Sequence, residues 1–104
     1  MDFNEYQKEA SRTFSGDGDL IVAALGLCGE SGEVADIVKN HIAQGHALNR
    51  EKVIEELGDI LWYIALAASS LDVTLESIAM ANNAKLRKRY PDGFSVERSV
   101  NRQL

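Results

Sequence analysis

The chain has 104 residues, 45% of them hydrophobic, and a formal net charge of −5. That length fits a single domain over residues 1–104, and the apolar content excludes a disordered chain. The acidic balance excludes a general nucleic-acid binder, which needs a basic face, but leaves room for a small anionic ligand held through a divalent cation.

The only proline is Pro91, so about 90 residues run without an obligatory helix breaker. An all-α fold is expected, as a four-helix bundle-like domain. The first helix is predicted over residues 2–14, with Phe3, Tyr6, Ala10 and Phe14 at helical spacing. SGDGD (15–19) is a turn, and Asp17 or Asp19 can cap the next helix. That second helix is predicted over 19–43, with a stripe of Leu20, Ala24, Leu27, Ser31, Val34, Val38 and Ile42. Gly45 is a natural C-terminal stop and Asn49 the next N-cap. The third helix is predicted over 50–71, with its apolar stripe centred near Leu57 and Ile64. Thr74 can cap a fourth over 75–90, which Pro91, Asp92 and Gly93 end. Residues 94–104 read as a polar tail.

Cys28 is the single cysteine, so no intrachain disulfide can form, which fits a reducing compartment. The opening MDFNEYQKEA has no apolar signal region, and the longest greasy run (60–71) is too short for a bilayer. A cytoplasmic protein with no membrane or nucleic-acid partner is expected.

Two helices carry acids beside their apolar stripes. A helix turns about 100° per residue. Glu56 then lies about 100° from the stripe of the third helix and Asp59 about 160° on the same side; Glu30 and Glu33 repeat those offsets on the second. Glu55 faces water, and Asp36 falls about 60° beyond Glu33's flank. Four carboxylates drawn together repel unless a hard cation such as Mg²⁺ or Mn²⁺ joins them. Gly26, Gly29, Gly32 and Gly58 lie in the same helices, where each costs about 1 kcal/mol relative to alanine; close approach of a ligand or a backbone is one reason for them. An acid pair at i,i+3 is also ordinary on a solvated helix face, so spacing alone leaves both readings open. A di-iron bundle fits poorly, since neither His41 nor His46 follows a glutamate by three residues.

GESGEVAD (29–36), EELGDILWYI (55–64) and NNAKLRKRYPDGFS (82–95), with the opening NEYQKEASRTF (4–14), resemble the MazG-like nucleotide pyrophosphohydrolases of the all-α NTP pyrophosphatase superfamily. The resemblance runs from about residue 3 to 97 and rests on an E-x-x-E pair followed by E-x-x-D. It implies cleavage of a nucleoside triphosphate between its α and β phosphates, releasing a monophosphate and pyrophosphate. Glu30, Glu33, Glu56 and Asp59 are the metal ligands it implies, with Mg²⁺ as the cofactor and Mn²⁺ as a substitute. Glu30 or Glu33 would take the proton of the attacking water.

Lys85 and Arg89 share a face of the fourth helix and suit phosphate binding; Lys39 and Asn82 are further substrate-binding candidates. Arg87 and Lys88 read as a solvated patch. Tyr63 lies on the acid side, where it can line the site. Trp62 lies opposite the apolar stripe, which suggests a second buried surface: a subunit interface or a base pocket. Tyr6 and Gln7 are placed to approach the base, Tyr6 more naturally as core. Cys28 falls on the stripe and reads as core. No catalytic or metal role is expected of His41 or His46. Apolar residues on two sides of the third helix suggest a core completed by a homodimer or homotetramer. Phosphoribosyl-ATP hydrolysis, or a non-catalytic helical interaction module, are the alternatives.

Overall fold

Short polar side chains at the expected caps set where the helices begin. The protein is described from a computed structural model that covers residues 1–15 and 19–102. Five helices follow in order: α1 (Phe3–Ser11), α2 (Leu20–Ala43), α3 (Arg50–Ser70), α4 (Leu75–Arg89) and α5 (Val96–Val100). Asp19, Asn49 and Thr74 each accept a hydrogen bond from a first-turn amide, of Ile21, Lys52 and Ser77 respectively. Asp17, the other candidate cap, lies outside the described residues. The first helix stops at Ser11, and residues 12–14 continue as a tighter turn of i→i+3 hydrogen bonds. Gly45, at φ 70°, follows the end of α2. The expected polar tail contains α5, capped by Ser95, whose hydroxyl accepts from the Arg98 amide.

α2 and α3 form an antiparallel hairpin and share the most extensive contact in the molecule. Their packed faces differ from the expected stripes. On α2 the buried or half-buried residues include Ala23, Leu27, Glu30, Val34 and Ile37; on α3 they include Val53, Glu56, Ile60, Tyr63 and Ala67. Both sets step by alternating fours and threes, the spacing of a two-helix seam. Ile54 and Leu57 of α3, and Ile21 and Leu25 of α2, stay exposed on other sides. The periodicity of apolar residues summed two faces of each helix and pointed between them. Cys28 is exposed rather than core for the same reason.

The far half of α3 is covered by α1 and α4. Ala65, Leu66 and Ala68 are buried there, with Ala10 of α1 and Leu75 of α4. The chain turns by 99° between α3 and α4. Leu71, Asp72 and Val73 make the corner: the Asp72 amide donates to Ser69 O and the Val73 amide to Ala68 O, with Asp72 left-handed at φ 56°. Gln7 clamps this corner from α1. Its amide nitrogen donates to Ser69 Oγ and Val73 O, both at 3.1 Å, and its oxygen accepts from the Leu75 amide at 2.7 Å. Asn4 adds a 2.7 Å hydrogen bond to Glu76.

The radius of gyration is 16.7 Å, above the ~13 Å of a compact chain near this length. The described core is built of alanines and two leucines, with no large side chain fully enclosed. No single helix among the described residues is long and apolar enough to cross a membrane.

Candidate metal centre

Glu30 and Glu56 enter a seam between α2 and α3 that is mostly apolar. Glu56 is 3% exposed, the one buried charged residue described; Glu30 is half-buried and Glu33 exposed. One ligand oxygen from each of Glu30, Glu33 and Glu56 lies within 4.8 Å of the other two. The i,i+3 step on α2 brings Glu33 over the seam one turn beyond Glu30, and the antiparallel partner supplies Glu56 from across it. Asp59 is not part of that close set. It lies one turn further along α3 and, with Glu30, lines an adjoining cavity of about 440 Å³ whose other walls are Tyr6, Thr13, Gly58, Trp62 and Tyr63.

The electrostatics show crowding. A hydrogen bond with Glu56 pushes the Glu30 carboxyl up to about 7, helped by desolvation and by the charges of Glu56, Asp59 and Glu33. The same hydrogen bond lowers Glu56, with Lys52 assisting. The two carboxyls therefore titrate as a coupled pair, with the crowding raising Glu30 and lowering Glu56. Asp59 also helps raise the Tyr6 phenol, after desolvation. Lys52 answers part of the negative charge: its ammonium is 3.2 Å from Glu56 and 3.5 Å from Glu55. Lys52 was not singled out from the sequence, although its i,i+4 relation to Glu56 is the signal that finds it.

Beyond any proton the pair shares, the buried Glu30 Oε2 and Glu56 Oε2 meet no N–H or O–H donor among the described residues. A buried acceptor left bare costs free energy. A hard divalent cation is the ligand these oxygens suit, because Mg²⁺ and Mn²⁺ prefer carboxylate donors. The donor set therefore fits such a metal.

The aromatic residues are held by the chain itself. Trp62 donates its indole N–H to Thr13 Oγ1 at 2.8 Å and meets Phe14 edge-on at 5.2 Å. The second buried surface expected around Trp62 is thus, in this chain, the end of α1 and the turn after it. Tyr63 stands edge-on to Trp62 at 5.0 Å. Its ring covers Gly26, where any Cβ would overlap ring carbons. Gly29, Gly32 and Gly58 have no such neighbour, so close approach accounts for one of the four glycines. Gln7, expected near a base, is spent on the α3–α4 corner; Tyr6 does line the cavity.

The cationic candidates lie elsewhere. Lys39 pairs with Asp36 at 3.2 Å on the outer face of α2. Asn82 is exposed on α4 and lines neither cavity described here. Lys85 and Arg89 line a second groove, between α4 and α5, that shares no residue with the acidic cavity. Separation in this fold follows from the 99° corner, which carries α4 away from the α2–α3 seam. The His41 ring contacts His46 O at 2.8 Å and closes the loop between α2 and α3.

An all-α protein whose central helical hairpin carries clustered carboxylates suited to a divalent cation is the class that fold and site define. The model of the MazG nucleotide pyrophosphohydrolase domain matches residues 21–94, and the chain belongs to that family. It is also similar to the Gene 37 protein of Mycobacterium phage L5, at 36% identity over 105 residues, covering 89% of this chain and 92% of the relative. No solved structure gives a significant match. Family membership supports a nucleotide pyrophosphohydrolase type of function in general terms.

Proposed function

We propose that the protein hydrolyses nucleoside or deoxynucleoside triphosphates to the monophosphate and pyrophosphate, with Mg²⁺ as cofactor and Mn²⁺ as a substitute, in house-cleaning or control of the nucleotide pool. The observation that carries this reading is the trio Glu30, Glu33 and Glu56, two of whose buried oxygens meet no N–H or O–H donor among the described residues. These three would hold the cation, with Asp59 completing the set from the cavity side. When bound, Mg²⁺ neutralises phosphate charge and makes the attacked phosphorus more electrophilic.

The chain's own residues do the rest. Water adds to the α-phosphorus as the α–β anhydride bond breaks, and pyrophosphate leaves. Glu30 or Glu33 accepts the proton that water gives up; Glu30 is the one that also faces the cavity. Tyr6, Trp62 and Tyr63 supply an apolar wall on which a base can rest. Lys85, Arg89, Lys39 and Asn82 lie outside the acidic cavity, and they would reach the substrate's phosphates only across a subunit interface of the oligomer proposed below.

A homodimer or homotetramer is proposed alongside. Its support is the exposure of Ile21, Leu25, Ile54 and Leu57 on the two longest helices. A cytoplasmic setting suits a nucleotide-pool enzyme with a free cysteine.

The test is a panel of ribo- and deoxyribonucleoside triphosphates, with phosphoribosyl-ATP beside them, incubated with protein and Mg²⁺. Pyrophosphate and the matching monophosphate are expected, and Glu56→Gln should remove both. Absence of pyrophosphate with every substrate, or full turnover by Glu33→Gln and Asp59→Asn, refutes the reading.

A further inference from the structure

The groove between α4 and α5 has a charge pattern that the acidic centre leaves unexplained. It encloses about 740 Å³ and is lined by Lys85, Lys88 and Arg89 of α4 and by Arg98 and Arg102 of the C-terminal segment. Five of the chain's eleven lysines and arginines thus face one groove in a protein of net charge −5. Among the described residues one acid, Glu97, joins them.

Cations gathered this way repel unless something answers them. The ion pairs among the described residues involve Arg12, Lys39 and Lys52 and none of these five. Arg89 Nε is buried with no hydrogen-bond partner among the described residues. The carbonyls at the end of α4 account for Lys88 and Arg89 in its last turn. They do not account for Arg98 and Arg102, which come from another element.

That element is held in place by its own local chemistry. Gly93, at φ 90°, lets the chain reverse after Pro91, and its amide donates to Tyr90 O at 3.2 Å. The Tyr90 and Phe94 rings lie 5.4 Å apart across the turn. Ser95 then starts α5, so Arg98 meets the α4 cations across the groove.

We propose that this groove is an oligophosphate site, in which Arg98 and Arg102 bind an anion from the side opposite Lys85 and Arg89. Guanidinium forks match phosphate oxygens, and several closely spaced negative charges suit five cations. No aromatic residue lines the groove, so the phosphate chain is recognised and the base is not. The proposal deepens the nucleotide reading at Lys85 and Arg89, and adds two arginines that reading does not use.

The test is calorimetry with inorganic tripolyphosphate in excess EDTA, where the acidic centre holds no cation. Wild type is expected to bind, more weakly as salt is raised. Arg98→Gln with Arg102→Gln should weaken binding about tenfold or more. Glu97→Gln should tighten it, a gain that misfolding cannot produce, and Glu56→Gln should leave it unchanged. A nucleoside triphosphate that binds as well as tripolyphosphate identifies the substrate's own phosphates as the source. Preference for the free anion identifies the pyrophosphate product. Either result upholds the site. No binding by wild type, no effect of the two arginine substitutions, or tighter binding of a single-stranded oligonucleotide overturns it. Loss of every hydrolytic activity with intact tripolyphosphate binding refutes the enzyme reading and leaves this one standing.

Discussion

Gly26→Ala tests the packing on which the site is built. Tyr63 lies over Gly26 with no space for a methyl group, and the ring is backed by Trp62 at 5.0 Å. A new Cβ would meet ring carbons well inside their ~3.5–4.0 Å contact distance, so the ring or the α2–α3 spacing has to shift. Overpacking of this kind costs roughly 1–3 kcal/mol. Alanine returns about 1 kcal/mol through its higher helix propensity. The net change is a destabilisation of about 0–2 kcal/mol. In a Tyr63→Ala background the clash is gone, and the same substitution should stabilise by about 1 kcal/mol. The double-mutant cycle is therefore predicted to show a coupling of roughly 1–3 kcal/mol. Thermal melts followed by circular dichroism suffice, since 1 kcal/mol moves the midpoint by about 4–8 °C in a domain near this size. Gly32→Ala, with no heavy atom near its Cβ position, is the internal reference and should gain about 1 kcal/mol. If Gly26→Ala stabilises equally with and without the Tyr63 ring, the helices do not approach as described.

Other outcomes follow from the same structure. Glu30 titrates near 7 in the folded chain against an ordinary 4.5, so its protonated form favours the fold. That stabilisation is complete below about pH 4.5 and is lost as pH rises through 7. The metal-free melting temperature should therefore fall between pH 5.5 and 8 by this contribution. Glu30→Gln should flatten that slope, and an unchanged slope refutes the assignment. Mg²⁺ or Mn²⁺ should raise the melting temperature of wild type but not of Glu56→Gln, since binding to the folded state alone stabilises it; equal shifts in both place the cation elsewhere. Gln7→Ala should destabilise by about 1–3 kcal/mol, because it strips the Leu75 amide and Val73 carbonyl of their partner. Asp72→Gly should stabilise by about 1 kcal/mol, as it relieves a left-handed residue. Chemical denaturation measures both, and a change of opposite sign refutes either.

What was legible in the sequence was local. Asp19, Asn49 and Thr74 cap because their side chains reach only their own first turns. Of the four acids expected together, the structure brings Glu30, Glu33 and Glu56 within reach of one another and leaves Asp59 outside that close set; the i,i+3 spacing was legible, while the offsets had been measured from faces that do not pack. Which face packs was not legible. Leu57 is exposed and Glu56 buried, and a count of apolar residues cannot rank a carboxylate above a leucine at a seam. Long-range partners were equally hidden: nothing near Trp62 in sequence names Thr13, and nothing near Gln7 names Leu75. The separation of Lys85 and Arg89 from the acids depends on a corner angle that no spacing encodes. α5 has five residues, too few to establish a period.

The clamp that α1 places on the α3–α4 corner bears on the order in which the chain assembles. α2 and α3 are joined by a short loop, so their hairpin closes cheaply and early. Gln7 and Asn4 reach partners 62 to 72 residues away, and those closures carry the larger entropic cost. The N-terminal helix is thus expected to dock last and to let go first. Amide hydrogen exchange should show α4 opening with α1 as one cooperative unit while the α2–α3 hairpin stays closed. In that order of events, the basic groove gains its fixed position only after the acidic centre already exists.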